Sequence, residues 1–326
     1  MASLLTSCYE TFTPDIDTTP VLCINSLITA GKSIDVRVSR TWLYTDDSTT
    51  DHSVDDAEIF IYVNGALESP DYIPREGDTI KVIAQSNTYG SAEAEVCVPY
   101  FVPAKSLKSN PVLINSWRTE NDDSTETISV DFNLHVDMEI ADPASTENYY
   151  QLSILGYNKS SDYTDNFGAS PNLPEISFNF GSLKYEAEPI FTEHIDVFES
   201  IMGNADGSGF TFFTDRQFSG KTYTLHLVFE NGSYFLRTDK SDPEMFDCGL
   251  ILTLHSISKS YYNWINYLWH RDEGLIGELG DVGFGDPMWG YSNVSTGAGI
   301  VAARSYATYT VSLNDFMTSA VADASK

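Results

Sequence analysis

The residues with the most explicit chemistry stand at the start of the chain, where Leu5-Thr6-Ser7 precedes Cys8. An apolar residue, two small ones and a cysteine form the pattern that bacterial lipoprotein signal peptidase cleaves and diacylglyceryl transferase modifies. The thiol becomes a thioether to lipid, and the small residues let the peptidase approach the backbone before it. Two or three acyl chains make such an anchor stable, so the expectation is a chain held on a membrane rather than spanning it. Seven residues precede Cys8, against a basic n-region plus roughly 7–15 apolar residues in a full signal. Residues 1–7 are therefore expected to be the tail of a truncated signal peptide.

Other candidate chemistry is sparse. The oxygen-rich groups Asp46, Asp47 and Asp51, Asn121, Asp122 and Asp123, and Asn204, Asp206 and Ser208 could each contribute to a calcium site. Calcium wants six to eight oxygens, and none of these groups sits in the twelve-residue loop with its terminal glutamate. The histidines are isolated in sequence, and zincin, Walker, nucleophile-elbow and dinucleotide motifs are missing. In so acidic a chain, spacing cannot select a carboxylate pair for glycoside hydrolysis. The expectation is a non-enzyme with no catalytic residues and no metal or other cofactor, calcium being the one open candidate. Tyr149-Tyr150, Tyr157, Tyr163, Trp289 and Tyr291 are candidate exposed rings, although β cores are themselves rich in aromatics.

Lys and Arg total 18 against 47 Asp and Glu, a formal net charge of −29. That balance argues against nucleic acid and against a polybasic contact with anionic lipid. No apolar run reaches the ~18 residues of a membrane-spanning helix. Cys23 and Cys97 lie in apolar strand contexts and read as small buried residues, with a bridge between them left open.

The elements that must position any site are short strands. Residues 9–20 are polar and proline-containing, so 1–20 reads as a lipobox and tether. From Val21 onward, alternating runs at 34–38, 59–63, 80–84 and 93–98, with a turn at Asn64-Gly65, predict an immunoglobulin-like or carboxypeptidase-regulatory-like sandwich over 21–104. Residues 105–326 predict a larger antiparallel β domain. Its clearest strand is Ile128 to Ile140, apolar at every second position, and Tyr149 to Leu155 is expected to pair with it across the Asp142-Pro143 turn. One amphipathic helix is expected near 258–273, capped by Ser258 and stopped by Gly274. The last strand is placed at Tyr306 to Leu313, with a fraying tail beyond.

Several segments together resemble a known family. They are Asp131 to Tyr150 with Asp142-Pro143 and Asn148-Tyr149-Tyr150; the Phe-x-Asp-x-x-Phe-x-Gly-Lys run from Phe213 to Lys221; Ser256 to Leu268; and Ser292 to Ile300 with its Ser-Asn-Val-x-x-Gly-x-Gly pattern. They resemble the Bacteroidota lipoprotein family catalogued as domain of unknown function 4249. The resemblance runs from Cys8 through Leu313 and implies an outer-membrane lipoprotein, often encoded beside SusC-like TonB-dependent receptors. It implies no catalytic residues. Asp215, Gly220, Lys221, Asn293, Gly297 and Gly299 form its structural signature, with the glycines suited to tight backbone turns.

The functional expectation is a surface-exposed outer-membrane lipoprotein, anchored through lipid on Cys8. It would serve a SusC-like β-barrel partner as an accessory or scaffold subunit. The alternative is a glycan- or peptide-binding module with calcium-supported loops.

Overall fold

A computed structural model of the protein describes residues 19–42, 51–144, 146–158, 175–192, 211–239, 246–272 and 290–324. The chain is mainly β, with fifteen strands in three sheets among these residues. The largest sheet runs β12-β9-β14-β15-β1-β2, made of Phe212–Thr214, Tyr149–Asn158, Cys248–Ile257, Ala298–Ser312, Leu22–Thr29 and Arg37–Arg40. A second runs β10-β13-β8-β7, from Glu175–Asn179, Thr222–Asp239, Thr125–Ala141 and Ala104–Glu120, with β11 (Ser182–Leu183) also paired to β13. The third runs β4-β3-β5-β6, from Ala66–Glu68, Glu58–Val63, Thr79–Ser86 and Gly90–Cys97.

Alternation explains the cores. Ile128, Val130, Phe132, Leu134, Val136, Met138 and Ile140 of β8 are all fully buried. They pack with Leu225, Leu227 and Phe229 of β13 against Leu250, Leu252 and Leu254 of β14, closing one sandwich. The smaller sandwich packs Ile80, Val82, Ala92 and Val96 against Leu22, Ile24 and Ile28. The Asn64-Gly65 turn forms as read, both residues at positive φ, the conformation a two-residue hairpin needs.

One strand belongs to both sandwiches. Residues Ala298–Arg304 of β15 pair parallel with Cys23–Thr29 of β1. Residues Arg304–Ser312 then pair antiparallel with β14. Val294, Val301 and Ala303 are consequently part of the N-terminal core, so that sandwich draws on residues far beyond 21–104.

Three expectations are corrected. Tyr149 to Leu155 does not pair with β8; β9 pairs with β12 and β14 in the opposite sheet. The Asp142-Pro143 segment carries the chain between layers because side chains, rather than a hairpin ladder, hold it, as described below. The tail does not fray after Leu313. Asn314–Ala322 forms a helix that buries Met317, Ala320 and Val321 in the larger core. Cys23 is half-buried and Cys97 exposed, because both lie on the strand face opposite the core residues; they are free, as is Cys248.

The expected helix is present as α1, Lys259–Asp272, and the tail helix is α2. Ser258 caps α1, its Oγ accepting from the Tyr261 N–H at 3.3 Å. Tyr262, Ile265 and Trp269 lay one stripe on Tyr149, Phe212 and Ile257, against the outer face of the six-stranded sheet. Gly274, the expected stop, lies outside the described residues, as do Cys8, Asp46, Asp47, Asn204, Asp206, Ser208, Tyr163 and Trp289.

Candidate functional site

Two of the four segments that carried the resemblance, Asp131 to Tyr150 and Phe213 to Lys221, meet at one corner. Asp142 is buried at its centre. It accepts from the Tyr150 hydroxyl at 2.5 Å, the Asn148 amide at 3.1 Å and the Gly220 N–H at 3.0 Å. Its own N–H donates to the Lys221 carbonyl at 3.0 Å. Three donors converge on one buried carboxyl group and fix the crossing between layers. Lys221 contributes main chain here, its side chain being exposed.

Asp215 completes the corner from the other side. Its N–H donates to the Asn148 carbonyl, and its carbonyl accepts from Phe218. Asp215 is 2 % exposed, and its Oδ2 has no hydrogen-bond partner among the described residues. Burial, joined by the charge of Asp142, raises its pKa above the usual carboxylate range. Tyr150 is pushed up as well, by burial and then by its bond to Asp142. Gly220 has φ +70, and a Cβ there would meet the Ala144 Cβ at 3.0 Å.

The remaining two segments form a second cluster beside the first. Ser258 Oγ accepts from the Ala303 N–H at 3.0 Å, and Ser260 Oγ donates to the Val301 carbonyl at 3.1 Å. Asn293 brackets the same strand, donating to the Val301 carbonyl and accepting from its N–H at 2.8 and 2.9 Å. Gly299 has φ +104, and its Cβ would lie 2.2 Å from the Ile24 carbonyl oxygen; at Gly297 it would lie 2.5 Å from that of Leu22. Both glycines are thus needed for close backbone approach, which joins the end of the chain to β1.

Between these clusters and the N-terminal sandwich opens a cleft of about 630 Å³. Glu95, Val96 and Cys97 of β6, with Pro99 and Tyr100, form one wall; Pro143, Ala144 and Thr146 to Tyr149 form the second; Ser256 to Ser260 close the third. Lys259 bonds Glu147 at 3.1 Å and lies 5.9 Å from the centre of the Tyr149 ring. The Tyr149 hydroxyl and then Lys259 draw Glu147 below its ordinary pKa, while Glu147 raises that of Lys259. Tyr100 projects at the mouth, 71 % exposed, over a Gly77 whose Cβ would strike its hydroxyl at 2.4 Å. The volume is in the range of small-ligand pockets. No sequence motif marked Cys97, Tyr100 or Lys259; only the tertiary fold brings them together.

The other sequence candidates lie elsewhere. Tyr149 lines the cleft but is buried, as is Tyr150, and Tyr157 and Tyr291 are half-buried; among the described residues the exposed ring lining the cleft is Tyr100. Asp123 is committed to internal partners, accepting from Thr125 and pairing with Arg237. Among the described residues no group of three His, Cys, Asp or Glu is placed to hold a metal.

Apart from the cleft, four of the exposed large hydrophobics among the described residues lie together on β7, an edge strand. Register shifts between Leu113 and Asn115 leave Ile114 as the extra residue of a bulge, 60 % exposed and flanked by exposed Val112, Leu113 and Trp117. Bulges re-aim side chains, and here one turns an isoleucine into solvent.

Searches of curated proteins and of solved structures return no match. The family model described as Domain of unknown function (DUF4249) matches residues 9–310, and the chain belongs to that family.

Proposed function

We propose that this protein is a non-catalytic, lipid-anchored accessory subunit of an outer-membrane β-barrel complex, of the SusC-like TonB-dependent kind. The observation that carries the reading is the apolar bulge on β7 around Ile114. Exposed apolar groups clustered on a soluble face mark interaction surfaces. The occupant we assign to it is a membrane-resident protein. A second copy is disfavoured because each chain carries a net charge of −29. Residues 9–20 can span at most roughly 40 Å, so a lipid on Cys8 would keep the start of β1 within that distance of the bilayer and the whole chain beside proteins embedded in it.

Two measurements test the anchor and the partner separately. Cys8→Ala, expressed behind a complete signal peptide, is expected in the soluble periplasmic fraction with an unchanged circular dichroism spectrum. Retention on membranes after a high-salt wash would remove the lipid from the account. Co-purification from gently solubilised outer membrane tests the partner.

A further inference from the structure

The cleft holds a run of unpaired main chain. In β6, Glu93 exchanges both hydrogen bonds with Ser295, at 3.2 and 2.8 Å, on the edge facing away from β5. Main-chain direction alternates along a strand, so the N–H and C=O groups of Glu95 and Cys97 face that same edge. The inward pairing of Val98 with Gly77 and Asp78 agrees with this phase. No described residue bonds the outward groups of Glu95 or Cys97. Both residues line the cleft.

We propose that the cleft binds a free, extended oligopeptide, which adds to β6 as a short strand beside Glu95 and Cys97. Unpaired donors and acceptors on an open sheet edge are what strand addition uses, with side-chain pockets selecting alternate positions. The space suits a peptide of a few residues. It does not suit a folded protein partner, whose interface would cover roughly 1,200 Å² or more in total. Lys259 pairs with Glu147, which leaves the carboxylate of Glu95, on a chain of net charge −29, to favour an uncharged or basic peptide. The site is separate from the β7 bulge, so either proposal can fail without the other.

The test uses a fluorescein-labelled hexapeptide mixture built from alanine, valine, threonine and lysine, with fluorescence anisotropy of the full folded chain as readout. Glu95→Pro deletes an N–H that faces the cleft and leaves the β5–β6 ladder intact, a placement edge strands tolerate. Binding is expected to weaken at least tenfold in Glu95→Pro and to persist in Glu95→Thr, which keeps the N–H. N-methylation of every peptide nitrogen should weaken binding to the unaltered protein equally, since it removes the donors of both strand edges, a readout independent of any variant's folding. Absence of binding by the unaltered protein, equal binding of the N-methylated peptide, or displacement by maltohexaose at the same concentration would each overturn the proposal.

Discussion

The Tyr150 hydroxyl lies 2.5 Å from Asp142 Oδ1, joining the start of β9 to the segment that leaves β8. This bond, with those from Asn148 and Gly220, replaces the hairpin that proximity in sequence suggested. Tyr150→Phe keeps the ring packing against Phe213 and Phe218 and removes one donor to a charged group. It should cost about 1.5–3 kcal/mol of unfolding free energy in urea titrations. Asp142→Ala strands three donors and should cost more than about 3 kcal/mol.

Asp215 makes an opposite, pH-dependent contribution. Its folded pKa is raised from the ordinary 3.8, so its contribution is fully present below pH 3.8 and is lost as pH rises through the folded value. Asp215→Asn removes that loss. The stability of the variant relative to the unaltered protein should therefore increase from pH 4 toward neutrality, measured by urea titration at several pH values. A difference independent of pH would mean that Asp215 titrates normally.

His255 should show the reverse slope. It is buried on β14, with its Nε2 3.2 Å from Ser153 Oγ, and burial, with Arg304 nearby, lowers its pKa from 6.5 to about 4. The folded chain refuses a proton that the unfolded chain accepts, so stability falls as pH drops from 6.5 toward 4. Histidine NMR titration should leave the His255 ring neutral at pH 5, and His255→Gln should flatten that part of the pH profile.

Gly299→Ala should be among the most damaging small substitutions. It places a Cβ against the Ile24 carbonyl at a backbone angle that L residues rarely adopt, and the parallel β1–β15 pairing runs through that residue. A cost above about 3 kcal/mol is expected, or loss of soluble protein.

Local periodicity made part of this fold legible. The seven alternating apolar residues of β8, the Asn64-Gly65 turn and the Ser258 cap each carry their signal within a few residues. What escaped is non-local. The pairing of Cys23 with Ala298 leaves no trace in either segment's pattern. The tail helix begins at Leu313 without a side-chain cap, and its three buried residues are too few to mark a period. β7 was not read as a strand because bulges and an exposed edge interrupt its alternation. The resemblance segments were legible one by one, but Asp142 and Gly220, 78 residues apart, meet only in the fold. The unpaired edge of β6 could not be read at all, since it follows from which neighbour Glu93 takes.

The central claim is tested most directly by recovering the tagged, lipidated protein from outer membrane in mild detergent, beside an Ile114→Glu variant. Ile114 is exposed, so the variant should keep its stability within about 0.5 kcal/mol. The account predicts a β-barrel protein recovered with the unaltered chain and lost with Ile114→Glu. Recovery of the unaltered chain alone, or of the same barrel with both, would contradict it.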